Sequence, residues 1–542
     1  MERARRLPAR QRLAATGEDS VAVSGRHCAD SGGPWQASAA LLFCLAGCSF
    51  PASVDPAADL VIYNVRVWDG TGAPTTLPSV LQIGGGRILS VSPMPEEGDV
   101  GETAEAAGVA SFDARTWYAI PGLINTHGHV AGTWIPNAGV EYREYASREL
   151  GRYARFGVTT VNSLGGEREP AFDLRDESWD NGATRRARLL VSGPVVTGAT
   201  PEEAVVITDG VAATGPDWIK IRVDDNLGTT TKMTPETYTA VITRARDHGL
   251  RVASHLFYQE DAKGLLRAGT GMVAHSIRDG PVDEETIDLL LETGVCYVPT
   301  LTREVSTYAY GGRPGFFDDP FLTLDVDSAQ VLAVSDPERQ ARVRESGAAE
   351  AYGRALEIAQ DNLALLSAAD VAIAFGTDSG PLGRFQGYFE HMEMELMAEG
   401  GLTPEQILRS ATGVAAECLG RDDIGTIEPG KRADLVLVNL DRIEDPYLHP
   451  DTDIVDALVY RGKGLDVDTV MVDGEVLLRG GQYLRTDKSE VRTQLKESLA
   501  RTLTDREVQR AALSNELLPY INRWFSAWDL EQGPQHYTYS LR

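Results

Sequence analysis

Between Ile120 and Gly376, short apolar runs alternate with helical text. Eight such runs can be read: Ile120–Asn125, Val158–Ser163, Arg188–Ser192, Trp218–Val223, Arg251–His255, Gly271–His275, Val295–Val298 and Val371–Gly376. Amphipathic segments separate most of them, among them Tyr145–Phe156, Pro235–His248, Gln259–Ala268 and Val282–Thr293. Strand and helix in regular succession imply parallel strands joined by crossover helices. Eight units predict an α/β fold, a (β/α)8 TIM barrel whose chemistry sits at the C-terminal ends of its strands. A doubly wound open sheet is the alternative, but no Gly-rich phosphate loop follows the first run.

The flanks read differently. Asp59–Gly70 gives two short β runs broken near Asn64, and Leu81–Ile83, Gly84–Gly86 and Arg87–Val91 read as strand, turn, strand. Downstream, Gly425–Asn439 reads as a turn and a buried strand, and Val467–Leu478 contains the tight hairpin signal Asp473-Gly474. These pieces predict a small β-sandwich domain built from both chain ends. The expected division is 1–58 leader and tether, 59–118 and 421–485 β-sandwich, 119–420 barrel, and 486–542 a helical extension. The extension has an amphipathic helix over Glu490–Ile521 and an aromatic tail with Trp524, Trp528 and Tyr537, suited to capping the barrel or to homo-oligomer contact. The stretch Thr300–Asp370 is a long insertion, aromatic and Pro/Gly-rich from Tyr308 to Pro320 and then a charged helix. On the active face such an insertion serves as a lid, and elsewhere as a plain surface loop.

Leu45-Ala-Gly-Cys48, which ends the apolar run Ala39–Cys48, resembles a bacterial lipobox in which the cysteine is lipidated. This predicts an exported protein, lipid-anchored through Cys48 in the cell envelope. The segment before it is long and carries Glu18, Asp19 and Asp30, unlike a compact signal n-region, so a cytoplasmic extension is the alternative. With 51 basic and 79 acidic residues the formal charge is −28, which disfavours nucleic acid as a partner. Cys28, Cys44, Cys48, Cys296 and Cys418 show no zinc-finger or disulfide-framework spacing, so a metal here would be held by His and carboxylate.

Residues suited to a metal stand at the ends of these strands. His127 and His129, separated by one residue after the first run, can share a face. Lys220 lies among apolar residues of the fourth run, which is costly unless it is paired, neutralised or modified. His255 and His275 end the fifth and sixth runs, and the eighth leads into Gly376-Thr-Asp378-Ser-Gly380. A lone strand histidine is more often a hydrogen-bonded core residue, and Asp378 alone reads as a helix N-cap. Six such residues in register are hard to explain one at a time.

In this order the six residues resemble the amidohydrolase superfamily, over roughly Asp59 to Arg479. Pro121-Gly-Leu-Ile-Asn-Thr-His127-Gly-His129 is similar to its strand-1 HxH motif, and Lys220 in Trp-Ile-Lys-Ile to its carboxylated lysine. His255, His275 and Asp378 match its strand-5, strand-6 and strand-8 ligands. The spacing resembles the binuclear imidazolonepropionase-like and prolidase-like (Xaa-Pro dipeptidase-type) members. Two departures, Ala274-His275-Ser276 and Asn162, bear on substrate rather than metal.

The resemblance implies two divalent ions, Zn²⁺ first and Mn²⁺, Co²⁺ or Fe²⁺ as alternatives, held by His127, His129, His255, His275, Asp378 and N6-carboxylated Lys220. It implies hydrolysis of an amide-like C–N bond by a metal-bridging hydroxide, with Asp378 as general base and then acid. The expected substrate is a carboxylate-bearing dipeptide or N-acyl amino acid. Candidate holders of its carboxylate are Arg222, Tyr258, Arg278, Arg303 and Arg384. Ordinary salt bridges around the rim explain each of them equally well. His391, in helical text, and His248, before a glycine, read as structural. Two alternatives stay open: a cyclic-amide hydrolase or deaminase of the same superfamily, and a lipid-anchored, non-catalytic binding protein.

Overall fold

The computed structural model of the chain describes residues 52–136, 139–180, 186–444, 447–449, 452–484 and, with gaps, 493–526. The lipobox-like stretch with Cys48, His27, Trp528, His536 and Tyr537 lie outside the described residues. The described chain has an α/β fold. The sheet strands are β1 (Leu60–Val67), β2 (Ser79–Gly84), β3 (Arg87–Pro93), β4 (Ala110–Asp113), β5 (Trp117–Pro121), β6 (Leu123–Gly128), β7 (Val158–Ser163), β8 (Arg188–Val191), β9 (Trp218–Arg222), β10 (Arg251–His255), β11 (Met272–Ala274), β12 (Cys296–Val298), β13 (Leu435–Asn439), β14 (Val467–Val472), β15 (Glu475–Arg479) and β16 (Gln482–Tyr483).

Strands from both chain ends share one nine-stranded sheet, ordered β16-β15-β14-β13-β5-β1-β2-β3 with β4 beside β1. Its hydrophobic cluster takes Ile62, Leu81 and Ile88 from the front of the chain and Leu435, Leu437 and Met471 from the back. The sequence placed Ile120 and Asn125 in one run, but Pro121-Gly122 divides it between two sheets. β5 pairs with β13, while β6 begins a parallel sheet. At Asp473-Gly474 both residues have positive φ, 51° and 73°, the conformation a two-residue hairpin with the twist of its strands requires.

The central strands form two parallel sheets, β6-β7-β8 and β12-β11-β10-β9. A bridge from Val196 to Ile221 joins β8's side to β9. The eighth expected strand, 371–376, is an extended segment with a single bridge, Ile373 to Tyr297. It also ties back to β6, where Thr126 N donates to Phe375 O at 2.9 Å and Thr377 N to His127 O at 3.1 Å. Ile124, Leu190, Trp218, Ala253, Met272, Val298 and Ala374 meet in one inner cluster.

The crossover helices lie close to where amphipathicity put them, at Tyr142–Arg155, Pro235–Asp247, Gln259–Ala268 and Glu284–Thr293. Thr234 and Asp283 cap two of them through side-chain oxygens. The 300–370 insertion is mostly helical and ends in the long helix Gly347–Ala368. Its aromatic residues Tyr310, Phe317 and Phe321 pack with Phe156, Phe385 and Phe389, so the segment is tied to the rest of the fold through a shared aromatic core. Beyond the β strands, Asp505–Ser526 is helical.

His391 Nε2 lies 3.1 Å from Phe156 O and the ring packs on Phe321, a structural role as expected. His248 is the C-cap of Pro235–Asp247. A disulfide joins Cys296, at the start of β12, to Cys418 in the helix Gly413–Leu419. Spacing gave no sign of this pair, because the two residues are 122 apart in sequence and only the fold brings them together.

Candidate metal centre

His127 lies in β6 and His129 just past its end. Simple alternation does not deliver them. Ile124 faces the inner cluster, and a register shift between Asn125 and Gly128 changes the parity before the histidines. On the far side, His275 and Asp378 have φ of 85° and 55°, unusual for non-glycine residues. Thr300, whose Oγ1 is 2.7 Å from His275 Nδ1, has φ 49°. Strained backbone therefore gathers where these side chains meet, as it commonly does at functional sites.

The compact part of the cluster is His127, His129 and Asp378, whose ligand atoms lie within 4.8 Å of one another. Asp378 Oδ1 is 2.6 Å from His129 Nε2 and 3.6 Å from His127 Nε2. Lys220 Nζ is 3.2 Å from His127 Nε2. The His275 ring centroid is 4.6 Å from that of His127 and 4.2 Å from that of His255. The fold thus brings all six expected residues into one group.

Burial sets their protonation. It pushes His127 and His275 well below the usual imidazole range and His255 down to about 3. Burial also lowers Lys220 to about 8. Burial alone would raise Asp378, but Arg384, His129 and His127 hold it well below the usual carboxylate range. Neutral imidazoles and an ionised carboxylate are the forms that bind metal.

The donor set fits a metal. Two buried ring nitrogens, His127 Nδ1 and His255 Nε2, have no hydrogen-bond partner, and a buried polar atom normally has one. Nitrogen and oxygen donors in this mixture suit Zn²⁺ and its neighbours. Glu167 is buried close by, raised by burial, and accepts from Ser163 Oγ at 2.5 Å and Gly165 N at 3.0 Å. Glu390 braces the eighth segment from below by accepting from Asn125 and Thr377 at 2.7 Å and Ser379 at 2.6 Å. Sequence reasoning missed both, since each lies in text that reads as an ordinary loop or helix.

The candidate substrate contacts divide. Arg384 touches Asp378 Oδ2 and donates through Nε to Ser306 Oγ at 2.9 Å. Arg303 and Arg278 are buried around a shared carboxylate, Glu304, each with a nitrogen 3.0 Å from its Oε1. Arg278 also donates to Leu256 O at 3.0 Å and Ser276 O at 2.5 Å. Tyr258 donates to Asp225 Oδ1 at 2.8 Å. Arg222, half-exposed, donates through Nε to Asp224 Oδ1 at 2.8 Å.

The amidohydrolase family model matches residues 118–477. The chain belongs to the amidohydrolase family. Amidohydrolases are enzymes acting at carbon–nitrogen bonds, the class the six-residue pattern implied. The 5-methylthioadenosine/S-adenosylhomocysteine deaminase of Natronomonas pharaonis is 26% identical over 468 residues, covering 79% of this chain and 99% of the relative. The protein of the same name from Pelotomaculum thermopropionicum is 24% identical over 454 residues, covering 79% and 94%. Among solved structures, a Xaa-Pro dipeptidase with methionine in its active site superposes with TM-score 0.57 at 22% identity, over 77% of this chain and 99% of that one. A prolidase in complex with N-methylphosphonate-L-proline gives 0.59 at 21% identity, over 78% and 99%. These structural likenesses establish a common amidohydrolase fold.

Proposed function

We propose that this amidohydrolase is a two-metal hydrolase that cleaves an amide-like C–N bond in a dipeptide or N-acyl amino acid. The observation that carries this is Lys220, a buried lysine whose Nζ is 3.2 Å from an imidazole nitrogen. It lies beside His127, whose ring also meets that of His275. A plain ammonium there would repel a cation, whereas an N6-carboxylated Lys220 is an anion suited to bridge two ions. His127, His129 and Asp378 would hold one ion and His255 and His275 the other. Bound ions, Zn²⁺ by donor type, supply an acidified water and a polarised carbonyl.

The chain's own residues do the rest. Asp378, ionised and enclosed, takes a proton and returns it to the leaving nitrogen. Arg384 and Arg222, at the cluster's edge, are cations suited to a substrate carboxylate. The deaminase names of the sequence relatives favour a second reading, release of ammonia from an aminated heterocycle. A panel of dipeptides, N-acyl amino acids and aminated heterocycles, offered to metal-replete protein, separates the two. Hydrolysis of the first two classes is expected, and ammonia release with dipeptides left intact would overturn the reading.

We infer further that the two parallel sheets are arcs of one closed (β/α)8 barrel over 119–420. The Val196–Ile221 bridge and the 371–377 segment between β12 and β6 support it. The nine-stranded sheet is read as a sandwich over 59–118 and 421–485. The antiparallel bridge of Arg87 with Arg432 supports this by bringing β3 back to the lead-in of β13. We propose export with a lipid on Cys48; the Cys296–Cys418 disulfide supports the export, since such bonds persist in oxidising compartments. Self-association through the C-terminal helix is supported by exposed Leu513, Leu517 and Tyr520.

A further inference from the structure

One buried carboxylate beside His255 has no role in the centre just described. Asp224 lies two residues past β9, on the same parity as Lys220, and its side chain is fully enclosed, at 0% exposure. Arg222 Nε donates to its Oδ1, but Oδ2 is buried without any hydrogen-bond partner. His255 Nε2 is also buried without a partner, although it lies only 3.2 Å from Asp224 Oδ1. Two donors each about 2.0–2.1 Å from a tetrahedral ion stand about 3.3 Å apart. The 3.2 Å between His255 Nε2 and Asp224 Oδ1 matches the spacing of two ligands on one ion as well as that of an ion pair.

We propose that Asp224 is a further metal ligand, completing with His255 and His275 the site of the second ion. This rests on the two-metal reading. The reason a carboxylate belongs here is electrostatic. His255 and His275 bring no charge, so without Asp224 the second ion would be countered only by the Lys220 carbamate. Oδ1, oriented by Arg222, is the oxygen at ligand separation from His255 Nε2, and the unpartnered Oδ2 leaves the carboxylate a second oxygen to offer the ion. Arg222 then reads as an anchor that fixes the carboxylate's orientation from the solvent side, its side chain being 45% exposed.

Metal-free wild type, Asp224→Asn and Arg222→Leu are titrated with Zn²⁺ and, in parallel, with Co²⁺ followed by its visible spectrum. Wild type is expected to bind two ions. Asp224→Asn should keep one tight ion and hold the second at least about 100-fold more weakly, with a changed Co²⁺ spectrum for that site. Arg222→Leu keeps the carboxylate but frees its orientation, and should still bind two ions, with the second weakened by much less than in Asp224→Asn. Equal second-ion affinity and an unchanged spectrum in Asp224→Asn would overturn the proposal. So would second-ion loss in Arg222→Leu as large as that expected for Asp224→Asn, because Asp224 would then act only through Arg222. Circular dichroism of each metal-free variant separates ligand loss from misfolding, and if Asp224→Asn does not fold, Asp224→Ala is titrated in its place with the same two outcomes. A wild type that binds fewer than two ions defeats the two-metal reading itself, which is a separate result.

Discussion

Two groups of buried charge lie at opposite ends of the parallel strands, and they are built on opposite principles. At the start of β8, Arg188 is fully enclosed and every donor is used. Nε and NH2 reach Asp434 at 3.1 and 2.8 Å, and NH1 reaches Asp473 at 2.9 Å and Ser178 O at 2.8 Å. Arg432 adds a second guanidinium to Asp473 at 2.8 Å, and Asp473 N donates to Asp434 at 2.8 Å. At the other end, His127, Lys220, His255 and Asp224 are buried as well, yet ring nitrogens and a carboxylate oxygen are left without hydrogen-bond partners. A satisfied network joins two parts of the fold, here β8 to β13 and the β14–β15 turn. An unsatisfied one at strand ends, on strained backbone, is built for something the protein binds.

The contrast can be broken most sharply at the metal centre. Asp378→Asn removes a ligand and the proton carrier together, so kcat/KM on the best substrate should fall by about 10³-fold or more. Metal-free Asp378→Asn should unfold at a lower urea concentration than metal-free wild type at pH 7, because the ionised carboxylate pairs with Arg384 and His129, and the variant should still fold. A loss of less than tenfold would remove Asp378 from the chemistry.

At the other end the effect should be on stability instead. Arg188→Met leaves Asp434 and Asp473 buried beside a missing cation, and urea unfolding should show a loss of about 3–5 kcal/mol. The fraction that folds should keep its metal content. If Arg188→Met lost metal while keeping stability, the division between the two regions would fail.

Replacing Cys296 and Cys418 together with serine removes a long cross-link and should cost about 2–4 kcal/mol, read as a lower thermal midpoint under non-reducing conditions. The smallest effect, per pH unit, concerns acid. His255 is held neutral down to about 3 when folded but takes a proton near 6.5 when unfolded. The unfolded chain therefore binds more protons in that window, and metal-free protein should lose stability as pH falls from about 6.5 toward 3. One such histidine contributes a slope of at most about 1.4 kcal/mol per pH unit, and His255→Gln should flatten the curve by that share.

Much of this was legible in the chain. Strand and helix alternation placed the parallel strands, because each crossover helix buries one stripe and most of the strands between them are short runs with an apolar majority or an apolar start. The six candidate ligands could be found because they lie in or just past five of the eight runs. The rest depended on tertiary context. The change of parity before His127 comes from a bulge, and the direction of His275 from positive φ, neither of which has a local sequence signature. Asp224 reads as one half of a polar Asp-Asp turn, and only its enclosure against His255 shows otherwise. Arg278 looked like a rim cation because it follows His275 closely, but main-chain carbonyls and Glu304 engage its guanidinium inside the fold.

Metal analysis of purified wild type beside Lys220→Ala and Arg188→Met tests the central claim most directly. About two ions per chain are expected in wild type and in folded Arg188→Met, falling to one or fewer in Lys220→Ala. Two ions per chain in Lys220→Ala would contradict a centre bridged by that lysine.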